Sequence, residues 1–532
     1  MSSPSGVAPS HTEIPTPRSP DRPHARRFLV GTILIVFILL VAGIAVGHKF
    51  WPFSEQAVIE DLAEASDSTV TVERYHPTYF PVPGCVLEGI EFWHGKNRFQ
   101  LITIERMRIE GNYAGILTQH VPRIIAERAR VFIPPLGSHE VFHSQHSKLV
   151  VDELVANGSS VSFLSDDKNS QPLGFDVHDA LLTGVRWGSP ISYHLKLHNP
   201  NPPGEITVTG KFGPWADGHH EDTPLSGAYK FNHADLSVYG GIAGILNSQG
   251  KFDGVLKHLN VSGSTDTPDF EVQDGGHKVR LRSTFDAFVD ATRGDTFLNR
   301  VEAEFRHTTI IAEGSVAGAE QGKGKVAKLR LASRDGRIED ILGLFTSDGP
   351  PMSGPVSLSS SVEIPPGDMP FLNKVRLHGK FGVDEGSFTK PETQRDVDTL
   401  SAGARGKNKE DPETVLTDLK GQVDLAGGVT KFSDLSFVVP GANARLHGTY
   451  NILNYKINLH GSMRVDTKIS KTSSGLKSLM LKVMDPFFKK KPQGEVVPVH
   501  IEGTYKKPEF GLDLNQPSST PDPSTPDPSR RR

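Results

Sequence analysis

The sequence is nearly without cysteine: Cys85 stands alone in 532 residues. One thiol excludes a disulfide framework, a cysteine-built zinc site and an iron–sulfur cluster. A basic excess is missing as well. The 58 Lys and Arg are outweighed by 62 Asp and Glu, a formal net charge of −4, whereas nucleic-acid binders carry a basic face; no nucleic-acid partner is expected. The chain has no Walker A loop, no dinucleotide fingerprint and no Gly-x-Ser-x-Gly elbow between a strand and a helix. No cofactor, resident metal or catalytic residue is therefore expected, and the chain reads as a non-enzyme. Long apolar runs are scarce too, and Phe28–Gly47 is the one stretch of twenty residues without a charge.

That run, FLVGTILIVFILLVAGIAVG, is long enough as a helix to span about 30 Å of hydrocarbon. Arg18, Arg22, Arg26 and Arg27 precede it, and only Lys49 follows before Arg74. The positive-inside rule then places the N-terminus in the cytoplasm and the bulk of the chain on the far side of the membrane. Ala45-Val46-Gly47 also offers small residues at a signal-peptide spacing, but the apolar core exceeds the usual ~7–15 residues, so an anchor over 28–48 is the expected arrangement. Residues 1–27 and 516–532 hold clustered prolines, including the Thr-Pro-Asp-Pro-Ser repeat near the end, and read as disordered tails.

Between anchor and tail, Gln56–Ser66 reads as a short helix, and a period of two then dominates. In Lys456–Asp466, Ile457, Leu459, Gly461, Met463 and Val465 point one way while Lys456, Asn458, His460, Ser462, Arg464 and Asp466 point the other, the mark of an amphipathic strand. Val375–Val383, Glu205–Phe212, Val279–Phe285 and Val499–Gly503 repeat the pattern. Turn signals at 199–204, 274–276, 440–443 and 451–454 separate such strands. Strands in succession without alternating helices point to an antiparallel meander. Gly263-x4-Pro268-Asp-Phe270 and Gly503-x4-Pro508-Glu-Phe510 match in spacing, which suggests repeated strand units in an elongated sheet. Short helices are expected at Tyr239–Leu246 and Ile338–Phe345. A longer one is expected over Ser474–Lys491, where Leu476, Leu479, Met480, Val483, Phe487 and Phe488 share a face. It suits either a core helix or a membrane-surface helix. Ser387–Glu413 is polar and without periodicity and reads as a flexible insertion.

Two polar clusters resemble metal sites. His139-Glu140-Val141-Phe142-His143 fits H-E-x-x-H, which on a helix holds zinc with Glu as general base. Pro134 and Pro135 just upstream and the polar Ser144–Ser147 just downstream suit a loop better, and a membrane-anchored zinc protease is a minor alternative. Asp217-Gly-His219-His220-Glu221-Asp222 reads as a turn with scope for adventitious metal.

Taken with the anchor and the helix behind it, Val70–Gly84, Leu87–Phe92 and Ala129–Pro134 resemble the N-terminal signature of the AsmA-like proteins of Gram-negative bacteria, relatives of TamB and the bridge-like lipid-transfer proteins. Leu435–Gly448, Tyr455–Gly461 and Ile501–Leu514 are similar to that family's C-terminal region. The resemblance covers about residues 50–515 and departs from the pattern in its short middle. It implies a mainly β fold: an elongated antiparallel sheet curved into an apolar groove, held at the inner membrane by Phe28–Gly47. It implies an N-terminal AsmA-like region over 49–135, a groove region over 136–386, the insertion over 387–413 and an AsmA-like C-terminal region over 414–515. The implied function is to bind or transfer phospholipid in the periplasm and support outer-membrane biogenesis, the alternative being an assembly scaffold for envelope protein partners. Ile457, Leu459, Met463, Val465, Val375, Leu377 and Phe381 are the expected groove liners. Packing of the same residues inside a sandwich remains the competing arrangement.

Overall fold

The computed structural model describes residues 53–94, 99–113, 120–133, 149–163, 173–216, 218–272, 276–319, 324–346, 349–367, 369–405, 414–465, 496–504 and 507–512. The expected anchor at 28–47, the His139–His143 motif and the helix over Ser474–Lys491, with Leu476, Leu479, Met480, Val483, Phe487 and Phe488, lie outside these residues. Among the described residues no helix is long and apolar enough to cross a membrane. The chain forms two units, Met1–Val58 and Ile59–Arg532, and the second holds the sheet.

Helix α1 (Glu55–Ser66) stands where the sequence places it. Among the described residues, twenty-five strands follow in one sheet. The first five are β1 (Thr69–Thr78), β2 (Gly84–His94), β3 (Phe99–Glu110), β4 (His120–Ile133) and β5 (Val150–Phe163). Next come β6 (Leu173–Arg186), β7 (Ile191–Pro200), β8 (Pro203–Phe212), β9 (Pro224–Asp235), β10 (Ile242–Ala243), β11 (Ile245–Val255) and β12 (His258–Val272). Then β13 (Val279–Asp290), β14 (Asp295–Phe305), β15 (Thr308–Gly318) and β16 (Lys325–Arg337) lead to helix α2 (Ile338–Gly343). The remainder is β17 (Met352–Ser353), β18 (Pro355–Ile364), helix α3 (Phe371–Lys374), β19 (Arg376–Phe388), helix α4 (Pro391–Ala404), β20 (Thr417–Ala426), β21 (Val429–Val439), β22 (Ala442–Asn451), β23 (Lys456–Val465), β24 (Val496–Thr504) and β25 (Lys507–Leu512).

Among the described residues the pairing is antiparallel with one departure: β4 and β5 run parallel, from His120 opposite Val150 to Ile133 opposite Phe163. A hairpin cannot join parallel strands, so a meander pattern alone could not reveal this step. Other expectations also need correction. Tyr239–Leu246 is not a helix. A 3-10 turn over Leu236–Tyr239 ends at Gly240 and Gly241, whose φ values of 61° and 86° no helix accepts, and the chain goes on as β10 and β11. The Gly-x4-Pro-acidic-Phe copies are not equivalent. Gly263–Phe270 lies within β12, whose register shifts between Thr267 and Phe270, whereas Gly503 and Pro508 pair across the β24–β25 hairpin.

The insertion expected to be flexible contains α4. Pro391 begins the helix, where its missing N–H costs nothing. Asp398 is buried and accepts hydrogen bonds from Gln394 Nε2 (2.8 Å) and Val415 N (2.9 Å), which fixes the helix to the chain that follows it. Val397 and Ala404 pack on Val439, Ala442, Ala444, Met463 and Val465. α4 therefore covers the apolar side of β21–β23. The polarity that suggested a loop belongs to the opposite face of an amphipathic helix.

Packing differs along the sheet. In β2–β4 the apolar face is sealed, with Cys85, Leu87, Ile90 and Leu101 at most 1% exposed. Burial pushes the Cys85 thiol up to about 12, and only the thiolate attacks disulfides. Ellman's reagent is therefore expected to modify Cys85 at a rate set by unfolding of β2. Stoichiometric labelling within seconds in native buffer would contradict this packing.

The sheet is also coiled. Phe371 N donates to Gly240 O at 3.1 Å, linking the β18–β19 connection to the β9–β11 turn. Seven strand-to-strand steps separate β11 from β19, about 34 Å of flat sheet at about 4.8 Å per step. The two connections also stand at opposite ends of their strands, so only a helical coil brings these rims together.

Candidate functional site

Residues directly opposite in neighbouring strands show the same face, so the register traces rows of side chains across the coil. One row runs Tyr193, Gly210, Gly227, Phe252, Val261 and Ala287. The row beside it runs Leu195, Val208, Tyr229, Gly250, Gly263, Phe285 and Val301. It continues through Ala312 to Leu331, and on the same face Leu329, Val362, Leu377 and Leu425 stand in line. No ionised side chain occupies these rows. The intervening Lys196, Lys211, Lys230 and Lys251 are exposed on the other side.

Most of these apolar residues are half-buried in the middle of the sheet. A second packed layer would bury them fully, as α4 does at β21–β23 and as Ile338 and Ile341 of α2 do at Val356 and Val383, so among the described residues the half-buried rows from β6 to β20 are an uncovered surface. Its floor is built from aromatics lying over glycines. An added Cβ at Gly227 would come 2.8 Å from Phe252 Cζ and 2.9 Å from Tyr193 Oη; at Gly250 it would come 2.8 Å from Tyr229 Cε1, and at Gly263 2.8 Å from Phe285 Cζ. Each ring fills the space its cross-strand partner leaves vacant, an arrangement that protects strand glycines. Gly227→Val forces Phe252 and Tyr193 off their seats and also meets Thr209 O at 2.5 Å. A loss of about 1–3 kcal/mol is expected from such overpacking, read as a lower urea midpoint at constant slope; an unchanged midpoint would show the rings to be loosely seated.

Three pairs of polar groups on this face bond to one another or to the backbone, while the buried Thr267 Oγ1 and Ser333 Oγ have no partner among the described residues. Tyr193 Oη donates to Ser226 O (3.1 Å), Tyr229 Oη pairs with Ser248 Oγ (3.1 Å), and Thr265 Oγ1 with Ser283 Oγ (2.7 Å). Burial drives the Tyr193 hydroxyl up to about 12. Burial also raises Tyr229, partly offset by the bond to Ser248. The surface thus presents methyl, methylene and ring carbon, and its chemistry is that of a receptor for apolar chains.

The structure divides the seven expected liners. Ile457, Leu459, Leu377 and Phe381 are half-buried on the common face. Met463 and Val465 are on the same face but sealed under α4 at 9% and 1% exposure, and Val375 is buried at 7% just before β19. These three are core rather than groove. Tyr193, Tyr229, Phe252 and Phe285 were missed. A signal for the arrangement was present: Gly-Lys-Phe occurs at 210–212, 250–252 and 379–381, each with Lys outward and Gly and Phe on the apolar face.

At the 218–222 turn, His219, Glu221 and Asp222 bring ligand atoms within 4.8 Å of one another. Lys257 Nζ already holds Asp222 Oδ1 at 2.5 Å, so the turn is an exposed ion-pair cluster, in keeping with adventitious metal at most. No family model, no curated protein and no solved structure matches this chain.

Proposed function

We propose that this chain binds phospholipid by its acyl chains along the uncovered apolar face from β6 to β20, as an AsmA-like envelope protein anchored in the inner membrane by Phe28–Gly47, with the sheet in the periplasm. One observation carries this reading: a continuous face of half-buried rows without charges, which among the described residues is left largely uncovered. Transfer of a methylene from water to such a surface is worth about 0.8 kcal/mol, so one long acyl chain offers on the order of 10 kcal/mol before ordering costs. No headgroup-specific contact is required, and the headgroup can stay in water at the rim. About eight strands separate the rims that meet at Gly240 and Phe371, and an eight-stranded turn encloses room for side chains or one slim ligand. The role is binding or transfer, without bond chemistry, in support of outer-membrane biogenesis.

The test is extraction of lipid from the full-length protein purified in mild detergent, followed by mass spectrometry and a vesicle-to-vesicle transfer assay with fluorescent phospholipid. Stoichiometric phospholipid and accelerated transfer are expected. A protein that is free of lipid and inert in transfer would refute the reading.

A further inference from the structure

On the opposite, polar face at the C-terminal end, the register aligns three histidines. His447 of β22 stands opposite His460 of β23, and His460 opposite His500 of β24. All three share the outward side, since Gly448, Leu459 and Ile501 form the adjoining row on the apolar face. The His460 and His500 ring centroids are 6.2 Å apart. Glu502, one pleat along β24 from His500, has Oε1 3.9 Å from His460 Nε2. The row ends opposite Gly511 of β25, and the His500 ring lies over that glycine, with Nε2 toward β25.

We propose that His447, His460 and His500 form a site for one divalent transition-metal ion of the zinc or copper class, with Glu502 as a fourth ligand. Three imidazoles with a carboxylate suit zinc in tetrahedral geometry, and imidazole also favours copper. Directly opposite strand residues have Cβ atoms about 4.5–5.5 Å apart, a separation from which two imidazole nitrogens converge on one ion about 2.0–2.1 Å from each. The ligand atoms are not yet gathered: the His500 ring has to turn back from Gly511 toward His460, a side-chain rotation that the 6.2 Å ring separation allows. His460 Nε2 now pairs with Asn458 Oδ1 at 2.5 Å, a contact that an incoming cation replaces. The site is independent of the lipid-binding reading, because its side chains stand on the other face. Spanning β22, β23 and β24, a bound ion would clamp the strands that also carry the apolar surface beneath α4.

The test is calorimetric titration of the full-length protein with Zn²⁺, alongside nitrogen hyperfine structure in the electron paramagnetic resonance spectrum of the Cu²⁺ form. One ion per chain with micromolar affinity and coupling to at least two imidazole nitrogens is expected. His460→Ala should weaken binding at least tenfold, His500→Gln should do the same, and His219→Ala and His139→Ala should leave it unchanged. Circular dichroism separates loss of ligands from loss of fold, and the outward position of all three residues permits substitution. Binding that survives both His460→Ala and His500→Gln, or that is abolished by His139→Ala or His219→Ala, overturns the proposal, as does the absence of any saturable Zn²⁺ uptake.

Discussion

Phe252→Glu together with Phe285→Glu is expected to cut the phospholipid that co-purifies with the protein at least tenfold and to abolish transfer, while far-ultraviolet dichroism stays that of a β-sheet. The two rings lie in adjacent rows of the apolar face, over Gly227 and Gly263. Both are half-buried, so a carboxylate there keeps enough water to remain ionised and the sheet survives. An acyl chain laid along the same floor would strip that water, and a desolvated unpaired charge costs several kcal/mol. Two of them outweigh what the chain gains from a handful of methylenes. The control is built into the strand period. Lys251→Glu and Thr284→Glu place the same charges one residue away on the exposed side, and they should leave lipid content and transfer as they were. Equal losses from the outward pair would mean that added negative charge, rather than the apolar face, is responsible.

How much of this was readable beforehand follows from which interactions are local. The alternation in Lys456–Asp466 predicted β23 to within a residue, because side-chain period is a property of the strand itself. The α1 boundary and the 199–204 turn were legible for the same reason. Register is not local. That Phe252 sits over Gly227, or that Leu377, Leu425, Thr430, Tyr450 and Ile457 share one line across five strands, depends on pairings that no single segment specifies. The parallel β4–β5 step was invisible on this ground. Met463 and Val465 were assigned correctly to the apolar face, yet whether that face is open or covered depends on α4, some sixty residues away in the chain. The helix had been missed because Pro391–Ala404 looks polar when its narrow apolar stripe of Val397, Leu400 and Ala404 is read without the surface it meets.

Val465→Asp is the second large effect. Val465 is 1% exposed within the cluster joined by Val397, Ala404, Val439 and Met463. An unpaired carboxylate buried there costs on the order of 4 kcal/mol or more, and the least costly escape is for α4 to lift away. Strands in this sheet pack chiefly against their sequence neighbours, so such a loss should stay local, as it does in quasi-one-dimensional folds. Hydrogen exchange should therefore show protection lost over Pro391–Ala404 and β21–β23 and kept in β7–β16. Uniform loss across both regions would instead show the sheet to unfold as one cooperative body. If the unfolding is local, lifting α4 uncovers Met463, Ala444 and Val439 as a continuation of the same apolar face. Val397→Asp puts the charge on α4 instead and leaves that face uncharged, so it is this variant that should bind more lipid per chain than the wild type, even though it is less stable. A destabilising substitution that raises occupancy has a ready explanation only if α4 and acyl chains compete for one surface.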